Sequence, residues 1–108
     1  MAGVTEDQLL QDVRQMAIEH HLLMFHCRDS RITFGKGFPD LVISGPRGTI
    51  FAELKNNGSS LTPDQRHWGS MLQRGGEQWH IWRPRDLDAG VIARALESIS
   101  THVQKTVM

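Results

Sequence analysis

Two apolar runs joined by a Gly/Pro turn constrain the fold of this chain more than any other feature. They read GFPDLVIS at positions 37–44 and TIFAELK at positions 49–55, with GPRG between them at 45–48. Apolar runs rich in β-branched and aromatic residues, separated by Gly and Pro, are typical of a β-hairpin. If 45–48 is a four-residue loop, counting back along both strands places Asp40 directly opposite Glu53. The sequence therefore predicts a hairpin in which two carboxylates face each other.

Lys55 completes a charged group on this hairpin. Side chains alternate along a strand, so Glu53 and Lys55 share one face, and the apolar residues on either side of Glu53 take the other. Cross-strand partners have Cβ atoms about 4.5–5.5 Å apart, and like charges at that distance destabilise a sheet. A divalent cation between the acids, or a proton on one of them, relieves the repulsion. We therefore predict a cation site formed by Asp40 and Glu53, with Lys55 beside it.

Oxygen ligands in this site suit Mg²⁺, which keeps several waters and can present one of them to a phosphodiester. The alternative is a solvated hairpin face on which Glu53 and Lys55 simply pair, because Glu-x-Lys is a common tripeptide. A one-residue slip of the register would also send Asp40 to the opposite face.

Two further polar residues occupy positions where apolar ones are expected. Glu6 precedes the apolar stripe of the first predicted helix, from which it could reach a metal site, or it is a first-turn acid favoured by the helix dipole. Gln65 lies on the inward side of the second predicted helix. Its alternative role is the reciprocal member of a capping box with Thr62.

The remaining periodicities and caps predict one α/β domain. The predicted elements are a helix over 5–20, a strand over 22–26, the hairpin, a helix over 63–74, a strand over 78–83 and a helix from about 91 to 99. The order is α-β-β-β-α-β-α, with the first three strands in a meander and the fourth returning after a crossover helix.

Composition limits the class of protein. The chain has 108 residues, which predicts a single domain. It has no apolar run of the roughly 18–20 residues of a membrane span, so an intracellular location in cytoplasm or nucleoid is expected. Twelve basic and twelve acidic residues cancel, so any nucleic-acid contact must use a local patch. The single cysteine, Cys27, is expected to be a small buried side chain, since no paired-ligand spacing supports a zinc site with the nearby histidines.

The order of these motifs resembles the VRR-NUC family of the PD-(D/E)XK nuclease superfamily. The resemblance covers about residues 5–96 and rests on an acid in the first helix, GFPDLVI, AELK and LTPDQRHWGSMLQRGGEQWHIWRP. It implies a restriction-endonuclease-like core with a central mixed sheet and a metal-dependent DNA endonuclease that leaves a 5′-phosphate. Small stand-alone members are associated with branched DNA such as four-way (Holliday) junctions.

The resemblance also implies roles for the five polar residues singled out above. Asp40 and Glu53 would hold Mg²⁺ or Mn²⁺, and Lys55 would orient or activate the attacking water. Glu6 would complete the acidic site through the metal or its waters, and Gln65 would support the site or the phosphate.

DNA contacts are predicted at basic residues in the loop after the first strand and on the second predicted helix. They are Arg28, Arg31, Lys36, Arg66 and Arg74. Each is otherwise an ordinary solvated charge, and the rival function is a nuclease-fold module that binds DNA or a protein without cutting it. A homodimer is also predicted, because one small neutral domain offers little surface to several duplex arms. The three tryptophans at 68, 79 and 82 and the last helix are the predicted interface, with the protein core as the alternative for the tryptophans and base stacking as a further one.

Overall fold

The computed structural model describes residues 5–27 and 34–100. Four helices and four strands lie in these ranges: α1 (Glu6–Glu19), β1 (Leu23–His26), β2 (Leu41–Gly45), β3 (Gly48–Leu54), α2 (Pro63–Arg74), β4 (Gln78–Trp82), α3 (Pro84–Asp88) and α4 (Val91–Ser98). The predicted order of elements is confirmed. The five-residue helix α3, between β4 and α4, is an addition that the sequence pattern did not predict.

The strands form one mixed sheet in the order β1-β2-β3-β4. The first three are an antiparallel meander, and β4 returns parallel to β3 after α2, as predicted. The register of the hairpin is also confirmed, because Leu41 pairs with Ala52 and Ser44 with Thr49. The loop is shorter than predicted, since Gly45 and Gly48 are themselves paired and leave only two residues between the strands.

Helix ends follow the predicted caps. Helix α2 begins after Thr62 and ends before Gly75. The Thr62 hydroxyl accepts a hydrogen bond from the backbone amide of Gln65 at 3.2 Å. In α1, Thr5 accepts from the Gln8 amide at 3.0 Å. These local bonds satisfy backbone donors that a helix leaves free at its start.

One face of the sheet is covered by α1 and α4, and the main hydrophobic core lies between these helices and the sheet. Its fully buried members come from both helices and from the central strands, and include Leu9, Val13, Leu41, Ile43, Ile50, Ala52, Ile92, Leu96 and Ile99. Alternation along β3 places the other set of side chains, among them Phe51 and Glu53, on the opposite face.

Helix α2 covers part of that opposite face. Gly69 of α2 lies directly against Trp79 of β4, where a Cβ atom would overlap the indole ring. Phe38 stands edge-on to both Phe51 and Trp68, with ring centroids 6.2 and 5.0 Å away. This close approach brings the first turn of α2 over the end of β3, where Glu53 lies.

The predicted dimer interface is wrong for Trp82 and for the inward face of α4, while Trp68 and Trp79 are half-buried and stay predicted interface residues. Trp82 is 1% exposed, and Ile92 and Leu96 of α4 are fully buried in the core of the same chain, so they cannot meet a partner. Exposed large apolar side chains lie elsewhere among the described residues, and two of them, Leu23 (77% exposed) and Phe25 (62%), are on the edge strand β1.

Cys27 also differs from its prediction, because it is half-buried instead of fully buried. Across the ranges 5–27 and 34–100, no helix is both long and apolar enough to span a membrane.

Candidate active site

Asp40 and Glu53 meet where β2 begins and β3 ends. Asp40 immediately precedes the Leu41–Ala52 pair, so the register places it opposite Glu53, as predicted. The Leu54 amide donates to Oδ2 of Asp40 at 2.8 Å, which ties this carboxylate to the neighbouring strand. The Asp40 and Glu53 side chains are themselves hydrogen-bonded. A hydrogen bond between two carboxyl groups requires a proton on one of them.

Glu53 is the buried member of the pair, with 3% of its surface exposed. Burial, followed by the negative charge of Asp40 and their mutual hydrogen bond, raises the pKa of Glu53 from 4.5 to about 9, while Lys55 opposes the shift. Charge in a buried place is costly unless it is compensated, so the proton remains on Glu53 at neutral pH when no cation is bound.

Gln65, in the first turn of α2, contacts Glu53 with its side chain. Its Nε2 donates to Oε2 of Glu53 at 2.8 Å, while its Oε1 accepts from the backbone amide of Thr62 at 2.9 Å. The capping role and the site role, which the sequence presented as alternatives, are therefore both filled by one amide. Because the cap fixes where the oxygen lies, the NH₂ group is turned toward Glu53.

Lys55 follows Glu53 by two residues and lies on the same face of β3. Its backbone amide donates to the carbonyl of Trp82 at 3.0 Å, which extends the pairing of β3 and β4 beyond Leu54. Its positive charge lowers the pKa of Glu53, against the larger effect of burial. The amine is thus an electrostatic neighbour of the carboxylate pair.

Glu6 lies at the start of α1 and is exposed. Its negative charge contributes to the raised pKa of Glu53, although it is the smallest of the contributions. In the described part of the chain, however, no three His, Cys, Asp or Glu side chains come close enough to form a metal-ion cluster. Glu6 is therefore an electrostatic neighbour of the Asp40–Glu53 pair, and its role as a metal ligand stays a prediction.

The Asp40–Glu53 pair fits Mg²⁺ or Mn²⁺. Its donors are carboxylate oxygens, which hard cations prefer, and Mg²⁺ is commonly bound by one or two carboxylates with waters filling the remaining positions. A divalent cation between the two acids would compensate the negative charge that otherwise raises the pKa of Glu53.

Three of the five basic residues predicted to bind DNA, namely Lys36, Arg66 and Arg74, lie in the described part of the chain. Lys36 pairs with Asp64 at 3.7 Å, and Arg66 donates to the carbonyl of Leu61 at 3.2 Å. Arg74, at the end of α2, is nine residues from Gln65, about 14 Å along a helix. Arg28 and Arg31 lie outside the described residues.

One basic residue near the site was missed. Arg83 directly follows β4, and strand alternation places it on the face that carries Glu53 and Lys55. The signal in the sequence was this alternation, which extends from Trp79 through Ile81 to Arg83.

The four-stranded mixed sheet and the order of its elements give a mixed α/β fold that known structures share. The chain is similar to a solved structure described as a VRR_NUC domain protein, with a TM-score of 0.68 and 23% sequence identity over 93% of this chain and 98% of that one. Archaeoglobus fulgidus Hjc, a Holliday junction resolvase from an archaeal hyperthermophile, gives a TM-score of 0.49 and 20% identity over 74% of this chain and 66% of that one. No family model and no curated protein matches the chain. The VRR-NUC-like fold implied by the sequence is confirmed by the first of these structures.

Proposed function

We propose that this protein is a metal-dependent DNA endonuclease that hydrolyses phosphodiester bonds in branched DNA such as four-way junctions. The observation that carries the proposal is the carboxyl pair of half-buried Asp40 and buried Glu53, bordered by Lys55 and Gln65. A buried acid kept in a protonated pair is costly for a protein that has no use for it, and perturbed pKa values concentrate at functional sites.

The residues of the chain divide the work as follows. Asp40 and Glu53 would hold Mg²⁺ or Mn²⁺, and Glu6 would complete the acidic site through the ion or its waters. A bound ion of this kind supplies a more acidic water and offsets negative charge at the scissile phosphate. Gln65 holds the Glu53 carboxylate in place, and Lys55 orients the attacking water and stabilises its developing negative charge.

Lys36, Arg66 and Arg74, with Arg28 and Arg31 of the preceding loop, are the proposed contacts to the DNA backbone. They are local charges on a chain of zero net charge, so they supply position more than long-range attraction. A homodimer is part of the proposal, because branched DNA offers several arms to one small domain. The exposed apolar side chains of Leu23 and Phe25 on the edge strand β1 support an interface there.

The test is cleavage of labelled linear duplex, flap, single-stranded and four-way-junction DNA by the purified protein, with Mg²⁺, with Mn²⁺ and with EDTA. Cleavage that requires the metal and is lost in Glu53→Gln, but kept in Glu77→Gln, is the expected result. Glu77 is an exposed acid that gives a matched change of charge away from the carboxyl pair. DNA binding without cleavage under every metal condition would favour the rival function, a non-cleaving nuclease-fold module.

A further inference from the structure

Arg83 is the neighbour of Lys55 on the face that carries the acids. Leu54 of β3 pairs with Trp82 of β4, and the backbone amide of Lys55 donates to the Trp82 carbonyl at 3.0 Å. Lys55 follows Leu54 and Arg83 follows Trp82, so Lys55 and Arg83 lie side by side. Arg83 and Lys55 therefore place two positive side chains at the same end of the parallel strands β3 and β4.

The guanidinium of Arg83 also fixes the loop that joins β3 to α2. Its Nη1 donates to the carbonyl of Asn56 at 2.6 Å and to the carbonyl of Ser59 at 2.7 Å. The Asn56 carbonyl accepts from the Ser59 amide as well, at 3.3 Å. This loop runs from Lys55 to Thr62, the cap of α2, so Arg83 links the two elements that carry Lys55 and Gln65.

The positive charge of Arg83 has no acidic partner in the described part of the chain. Its loop contacts are neutral carbonyls, and the nearest acid along the chain, Asp86, accepts instead from the backbone amide of Arg83 at 2.8 Å. A guanidinium has five donors, and within residues 5–27 and 34–100 only Nη1 has hydrogen-bond acceptors. The edge formed by Nε and Nη2 therefore remains for a ligand.

Two neighbouring cations on a sheet face repel each other unless an anion lies between them. A planar fork of two N–H donors matches the oxygens of a phosphate group. The charge, the free edge and the adjacent Lys55 all suit a phosphate of a DNA backbone.

We propose that Arg83 is a phosphate-binding residue of this site, which holds a DNA backbone phosphate with Nε and Nη2 while Nη1 keeps the β3–α2 loop in place. The phosphate is a neighbour of the scissile one, because Arg83 lies beside Lys55. The inference deepens the proposed function and rests on it for the identity of the ligand as DNA.

The experiment measures the affinity for a labelled four-way junction by fluorescence anisotropy in EDTA, over a range of salt concentrations. The variants are Arg83→Gln, Arg83→Lys and, as a matched loss of charge, Arg94→Gln, which removes an exposed arginine of α4 on the opposite side of the sheet. Loss of one phosphate contact should lower the magnitude of the slope of log K against log salt by about 0.9. Arg83→Gln should show this change and a roughly tenfold weaker affinity, since the lost hydrogen bonds are charge-assisted.

Arg83→Lys separates binding from a structural role, because it keeps the charge and loses the fork. It should retain the wild-type slope with an intermediate affinity. Equal weakening in both variants with an unchanged slope would mean that Arg83 only braces the loop and would overturn the proposal, as would an equal effect of Arg94→Gln.

A second measurement remains decisive where Arg83→Gln does not fold. This measurement uses a set of junctions, each with one neutral methylphosphonate at a different position near the cleavage site. The affinity of the wild type should fall roughly tenfold for one of these positions, because one charge-assisted contact is lost there. Arg83→Lys should lose less at that position, and an equal loss would overturn the proposal. Wild-type protein that binds the junction but never cuts it would refute the proposed nuclease and leave the Arg83 contact standing. No binding in the wild type would refute both.

Discussion

Replacing Glu53 by Gln should stabilise the protein in the absence of metal and remove a large part of its pH dependence. Gln resembles the protonated form of Glu53: its carbonyl can accept from Gln65, and its NH₂ can donate to Asp40. Glu53 binds its proton more tightly in the folded state, since its pKa is raised from 4.5 to about 9. The folded chain therefore holds more protons than the unfolded chain between these two values, and its stability falls as the pH rises through that window.

The size of the effect follows from the same pKa values. Between about pH 4.5 and 9, each pH unit lowers the free energy of unfolding by up to about 1.4 kcal/mol. From pH 5 to pH 7 the loss is up to about 3 kcal/mol, or on the order of 10 °C in melting temperature for a domain of this size. Glu53→Gln has no such charge to bury, so this loss of stability should disappear. Burial lowers the pKa of His80 from 6.5, so the stability of the variant should instead rise as the pH approaches that value.

The assay is thermal unfolding in EDTA at half-unit steps from pH 5 to pH 8, followed by circular dichroism. Glu77→Gln is the control, because it removes an exposed carboxylate and should keep the wild-type slope. Added Mg²⁺ should raise the melting temperature of the wild type at pH 8 and leave Glu53→Gln almost unchanged. If the melting temperature of Glu53→Gln in EDTA falls with pH as steeply as that of the wild type, and is no higher at pH 8, then Glu53 does not carry the buried proton.

Further predictions concern the chemistry, the support of the site and the assembly. Asp40→Ala should abolish Mn²⁺ binding in isothermal titration while the protein stays folded, and undiminished binding would remove Asp40 from the site. Lys55→Ala should lower single-turnover cleavage by on the order of 10² and leave Mn²⁺ affinity nearly intact, because its charge acts on the attacking water; full activity would refute that role. Gln65→Ala should reduce cleavage less than Lys55→Ala, and it should cost about 1 kcal/mol of stability because the cap is lost. Gln65→Glu keeps the cap acceptor, but it should reduce cleavage because it places a third carboxylate beside Glu53. Light scattering should find a dimer that Phe25→Lys converts to monomer, and a wild-type monomer at tens of micromolar would exclude this assembly.

The sequence determined the parts of this protein that depend on short-range rules. The hairpin register follows from alternation on either side of a Gly/Pro turn, and it correctly placed Asp40 opposite Glu53 and Lys55 on the same face as Glu53. The bounds of α2 follow from Thr62 and Pro63 at one end and from Gly75 at the other. Each of these rules needs only residues that are close along the chain.

Tertiary structure decided how those parts are used. The sequence could not choose between the cap and the site for Gln65, because only the approach of α2 to β3 lets one amide serve both. It could not show that Trp82 and the apolar face of α4 are buried in the core, since the sequence of an apolar face is the same whether it packs on its own sheet or on a partner. Nor could it show that Arg83 holds the β3–α2 loop, because the acceptors at Asn56 and Ser59 are 27 and 24 residues away. Contacts at that separation depend on how the crossover returns β4 to the side of β3, and no local pattern encodes it.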